Sequence, residues 1–281
     1  MRSSNPVFSR RGFSRDNGYA GFNTAPQAGY AQGNPYAQNP YAQQGVQYGA
    51  PPQAPATTGR MTMDDVIVRS ALTLGTVAVG AVLAWTLLPV SPTSYALAFG
   101  AGLVAMVLGL VQSFKRTPSP ALILGYAAFE GIFLGVISEV YDSRWSGAPF
   151  QAVLGTMAVS AATLLIYKAG WIRVTARYAR IGTAIALAFV LVLAVNLLLV
   201  AFGVAEHGGL RSFGPLGAIV GIIAIVLGAF FLTLDFKQIE DGIAYGAPRN
   251  EAWLAAFGLT MTLVWIYVEM LRLVAIFSNN D

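Results

Sequence analysis

The chain has 281 residues, of which 56% are hydrophobic and only 11% charged, and its mean hydropathy is +0.59. A soluble domain needs far more charge to cover its surface, so this composition belongs to the membrane class, and zero cysteines exclude disulfides, thiolate metal sites and cysteine nucleophiles. The formal net charge of +4 and the pI near 9.4 are no argument for nucleic-acid binding, because the basic residues fall in a collar beside the apolar stretches.

Residues 1–60 are rich in Gly, Ala, Gln, Asn, Pro and Tyr, with near-repeats such as NPYAQNPYAQQG. Such a segment cannot bury a core and is expected to be a disordered cytoplasmic tail. It lacks a charged n-region followed by an apolar h-region, so it does not read as a signal peptide and should persist in the mature protein. Its tyrosines and scattered arginines could bind a partner or anionic lipid, and a solvated low-complexity tail is the plainer alternative.

Residues 61–281 read as one transmembrane domain. Apolar runs of about 17 to 25 residues predict seven spans, at 67–90, 94–113, 120–141, 150–168, 182–204, 213–235 and 254–277. The fold class is therefore all-α, a polytopic bundle. A closed β-barrel would instead show alternating segments of about ten residues. Gly131 with Gly135 in the third span, and Gly217 with Gly221 in the sixth, stand at the spacing that lets helices approach closely in lipid, a common and nonspecific pattern. Between the fourth and fifth spans, GWIRVTARYARIG is expected to form a basic amphipathic helix on the inner membrane surface, with Trp171 and Tyr178 at headgroup level.

Orientation follows from the 17 lysines and arginines. With the N-terminus in the cytoplasm, the outer loops hold only Arg144 and Arg211, Arg272 lies within the last span, and the remaining 14 fall on the inner side. The expected topology is N-in and C-out.

Against this apolar background, carboxyls inside the spans carry the information, since a lone charge in the bilayer core costs several kcal/mol. At about 1.5 Å of rise per residue, Glu130 lies about 15 Å from the inner face in the third span and Glu269 about 22 Å from it in the seventh. Asp235 is expected at the inner end of the sixth span, and Glu139 near the outer mouth. Three of the four also have a structural reading. Glu139 can snorkel outward, and its nine-residue offset from Glu130 turns the two to different faces. Glu269 has Arg272 three residues on, an intrahelical pair that satisfies itself. Asp235 can belong to the hydrated loop DFKQIEDGIAYGAPRNE.

Enzyme readings fall by elimination. The single histidine, His207, lies in an outer loop, so histidine metal sites and serine–histidine dyads lack their parts. Lys115, Lys168 and Lys237 all stand at span ends, leaving no buried lysine for a retinal Schiff base, and no GxxxxGK[ST] loop is present. No cofactor is expected.

The segment LTLDFKQIEDG at the end of the sixth span resembles the aspartate-centred segment of the Bax inhibitor-1 family, with Asp235 followed by Gln238 and Ile239. The seven spans, the EG pair of the third and the MLRLV ending of the last are also similar to that family over residues 60–277. The stretch YGAPRNEAWLAAFGLTMTLVWIYVEMLRL looks closest to a bacterial subgroup often called YccA-like. The resemblance implies a bundle wrapped around a central last helix, in the bacterial inner membrane, behaving in some members as a pH-sensitive calcium leak. In those members two aspartates on the last two spans share a proton and close the cytosolic mouth. Asp235 matches the first. Thr262 stands where the second is expected, a departure from the paired-aspartate pattern.

Glu269 follows Thr262 by about two turns on the same stripe, about 10 Å closer to the outside. The expectation is that Asp235 and Glu269, through water and with Glu130, form a proton-sensitive path for calcium or protons, with Arg272 as counter-ion. Two other classes stay open: a noncatalytic regulator that binds membrane proteins such as a membrane-bound protease, and a small-molecule transporter, for which no convincing internal repeat is visible.

Overall fold

The computed structural model describes residues 59–204 and 208–279. Seven helices are long and apolar enough to cross a membrane: α1 Met63–Leu87, α2 Pro92–Phe114, α3 Pro120–Asp142, α4 Ala148–Lys168, α5 Ala176–Ala201, α6 Pro215–Ala244 and α7 Glu251–Ser278. A 3-10 turn, η1, covers Gly209–Arg211 between α5 and α6. No strand occurs among the described residues beyond an isolated bridge from Arg60 to Pro248. The expected tail, apart from its last residues, and His207 lie outside the described residues.

Local chemistry sets the helix starts. Thr62 and Asp65 form a capping box at α1, where Asp64 and Asp65 also favour the positive end of the helix dipole. Ser91 caps α2 by accepting from the Ser94 amide, and Thr175 caps α5 by accepting from Tyr178. Proline stands in the first turn of α2, α3, α4 and α6, where its missing N–H costs nothing. Gly147, at φ 80°, turns the chain into α4, and its amide donates to Asp142 Oδ1 at 2.7 Å.

α7 is the central element, packing against α1, α3, α4 and α6. Glycines bring α3 against α1: a Cβ on Gly131 would run into the Val77 carbonyl, and one on Gly135 into that of Ala81. The third-span GxxxG pair is thus the α1–α3 contact surface. α5 is peripheral and, among the described residues, touches only α6 and η1.

Two boundaries differ most from expectation. The basic segment after α4 is no separate surface helix: Gly170, at φ 72°, breaks the chain, Thr175 caps a new start, and Arg177, Tyr178 and Arg180 form the first turns of α5. The sixth span does not end at Asp235 but continues to Ala244. Its polar last turns hold together through Lys237, whose Nζ lies 2.8 Å from Asp241 Oδ1 and 3.8 Å from Glu240 Oε2. Asp235 therefore sits within the helix, about 13 Å from its end, and not in a hydrated loop.

Candidate functional site along the last helix

The face of the bundle at the α1 N-terminus carries Arg60, Arg69, Lys115, Arg116, Lys168 and Arg249 and is called the basic face below; the opposite one is the far face. On the basic side, Asp235 of α6 is half-buried and meets two residues one turn apart on α7. Thr262 Oγ1 donates to Asp235 Oδ2 at 2.6 Å. Gly258 leaves the room, since a Cβ there would stand 3.3 Å from Asp235 Oδ1. The hydroxyl that replaces the expected second acid is thus the carboxyl's direct partner.

The end of the bundle beneath this pair is laced shut. The Met61 amide donates to the Ala247 carbonyl at 2.8 Å, and the Arg249 amide to the Gly59 carbonyl at 2.7 Å. Arg249 Nε reaches Asp65 Oδ1 at 2.7 Å, while Arg69 donates to the Arg249 carbonyl and lies 5.5 Å over the Trp253 ring. The residues entering α1 are thereby fixed to the α6–α7 turn.

On the far side, Glu269 is buried and fully occupied. Its Oε1 accepts from Arg211 Nη2 at 2.8 Å, and its Oε2 accepts from Arg272 Nη2 at 3.1 Å and Nε at 3.2 Å. Arg272 Nη1 also donates to the Arg211 carbonyl at 3.5 Å. Side-chain exposure is 7% for Glu269, 6% for Arg272 and 29% for Arg211, so two guanidinium groups and one carboxylate share a mostly desolvated space. A pair with one partner removed would leave an uncompensated buried charge.

The sequence places Arg211 there by shaping η1. Asn196 of α5 holds the loop, its Nδ2 donating to the Gly208 carbonyl at 3.2 Å and its Oδ1 accepting from the Leu210 amide at 2.7 Å. The sixth-span GxxxG pair makes the space: Gly217 lies against the Ser212 carbonyl, and a Cβ on Gly221 would stand 3.1 Å from Arg272 Nη2. Trp145 and Phe213 stack at 5.3 Å beside the loop.

The two acids expected to act together therefore sit in separate clusters. Thr262 and Glu269 are about 10 Å apart along α7, and no hydrogen bond joins Asp235 to Glu269 among the described residues. Glu130 is half-buried at mid-helix in α3, one turn beyond Tyr126, whose ring meets Phe257 of α7 edge-on at 5.2 Å. Neither Glu130 nor Glu139, near the far end of α3, takes part in an ion pair among the described residues. Arg211 and Asn196 are the participants that sequence reasoning missed. Arg211 had one signal, being one of only two basic residues in the loops of the far face. Among the described residues, no three acidic or histidine side chains gather as a ready-made metal cage.

The family model described as Bax inhibitor 1 like matches residues 5–279. The chain belongs to the Bax inhibitor 1 like family. It is a multi-pass membrane protein, as that membership and its seven long apolar helices require. No curated protein matches the chain as a relative.

Proposed function

We propose that this family member is a gated leak for cations, calcium or protons, across a bacterial inner membrane, with the basic face in the cytoplasm. The observation that carries the reading is the presence of carboxyls at three depths on three helices, two of them closed by partners of opposite design. A bilayer-embedded acid is a functional group by default, because burial without a role is costly. Asp235 is held by a single hydroxyl, a contact that changes character when the carboxyl gains or loses a proton. Glu269 is held by two guanidinium groups, which give the far end a net positive charge that repels cations while Arg211 stays docked.

In this reading the drawn structure is the closed state. Opening needs the α6–α7 contact at Asp235 and Thr262 to part and the η1 loop to withdraw Arg211, leaving Glu269 and Arg272 as a neutral pair. Glu130 then supplies an intermediate oxygen site between the two ends, and weak sites in series are what permeation requires.

The test is calcium and proton flux into liposomes holding the purified full chain, from about pH 6 to about pH 8. Flux that varies with pH in the wild type and loses that variation in Asp235→Asn supports a carboxyl-gated leak. Flux no greater than in empty liposomes moves the assignment to the noncatalytic regulator of other membrane proteins.

A further inference from the structure

The central helix is flanked by a cleft that neither cluster uses. α1 and α4 do not touch, and between them lies a space of about 610 Å³ whose floor is formed by α3 and α7. Along α1 it runs from Trp85, close to the far end, to Leu74, near the helix midpoint. That is about 16 Å at 1.5 Å per residue, against about 15 Å for half of a bilayer's hydrocarbon core. The cleft is one leaflet deep.

Its walls include four hydroxyl side chains, Ser138, Thr156, Ser160 and Tyr267, yet each hydroxyl is already hydrogen-bonded. Thr156 donates to the Ala152 carbonyl and Ser160 to that of Thr156, each at 2.7 Å. Ser138 donates to the Leu134 carbonyl at 2.6 Å, and the Tyr267 hydroxyl meets Ser138 at 2.7 Å, so Tyr267 is the donor of that pair. With the donors spent, the cleft presents almost only carbon. Water needs two to four polar partners to stay in a buried site and finds few here.

We infer that this cleft is a binding site for one acyl chain of a phospholipid in the far leaflet, entering beside Trp85 and ending near Leu74. A transmembrane helix of a second copy is the poorer occupant, because it would run the full core of about 30 Å, twice the length of the cleft. Trp85 stands at the entrance, where an indole suits the headgroup boundary. The bound chain would lie against Leu263 and Tyr267 of α7, between Thr262 and Glu269, so its presence would brace the stretch that joins the two clusters. The inference holds whether or not the protein passes ions.

The experiment uses the full chain in phosphatidylethanolamine and phosphatidylglycerol vesicles doped with a phospholipid that carries a photoactivatable diazirine in mid-chain. Labelled peptides are then located by mass spectrometry. Label on residues 74–85 and 153–160 should exceed that on the more exposed Leu187, Leu191 and Leu198 of α5 about tenfold, a preference of about 1.4 kcal/mol. Ala78→Phe, or Met157→Trp from the opposite wall, should lower cleft labelling to the α5 level while leaving thermal stability unchanged. Even labelling of all lipid-facing helices, or cleft labelling unaffected by both filling variants, would overturn the inference. So would depleted labelling together with an intermolecular disulfide in Ala78→Cys, the sign of a second copy in the cleft.

Discussion

The two halves of α7 solve the same problem in different ways. Toward the basic face, Gly258 and Thr262 receive one carboxyl from α6 and give it one hydrogen bond. Toward the far face, Glu269 and Arg272 receive a third charge from a loop and tie up every oxygen of the acid. The first arrangement is cheap to part, because one neutral donor and one carboxyl can each be met by water. The second is dear to break by halves, because removing one member strands charge in low dielectric. One stripe of α7 thus meets an acid of α6 in a site suited to switching and carries an acid of its own in a site suited to clamping.

The sharpest way to break that comparison is to remove the clamp's acid. Glu269→Ala would leave Arg211 and Arg272 facing each other without a counter-ion, and the expected cost is about 3–5 kcal/mol, read as a lower unfolding temperature in detergent or a loss of folded yield. Adding Arg272→Met to it should recover most of the loss, since removing the unpaired charge removes the penalty. An unaltered unfolding temperature in Glu269→Ala would mean that water already reaches the cluster, and the contrast between the halves would collapse.

A smaller effect is expected at the other half. Thr262→Val keeps the shape but deletes the donor, leaving Asp235 Oδ2 without its partner at an expected cost of about 1–3 kcal/mol. If flux is present, this variant should raise it at every pH tested, because one of the contacts that close the basic side is gone. Arg211→Gln comes next, at about 1 kcal/mol, since Arg211 is partly exposed and Arg272 remains to pair with Glu269. Its expected signature is easier cation entry from the far side with the pH dependence intact, measured by flux with calcium placed on that side alone.

How much of this was legible follows from the range over which each signal acts. The seven helices were readable because hydropathy is local and the bilayer fixes their length. The end of α6 was not, because Lys237, Glu240 and Asp241 lower the hydropathy while their i, i+3 and i, i+4 pairing keeps the helix going. The surface-helix expectation failed at Gly170 and Thr175, where a positive φ and a capping hydroxyl outweighed an amphipathic pattern. Within the site, the pair of Glu269 and Arg272 was visible at three residues' separation. Thr262 was singled out as a substitute for an acid, but its contact with Asp235 depends on how α6 and α7 meet. Arg211 reaches Glu269 across 58 residues of sequence, through a loop that Asn196 and two glycines shape, and no periodicity encodes that docking.

The least disruptive substitution asks the most of the comparison. Asp235→Asn keeps the volume and an oxygen that can accept from Thr262 Oγ1, so its effect on stability is expected to be the smallest of the series. What it removes is the group that gains and loses a proton. If the basic half of α7 is the switch, the variant folds like the wild type while its flux becomes flat across pH, and the matching Glu269→Gln, made in the clamp, loses stability before it loses any pH response. The reverse pattern, a flat response in Glu269→Gln and an unchanged one in Asp235→Asn, would move the proton-sensitive element to the far half and leave the Asp235–Thr262 bond as a helix contact like any other.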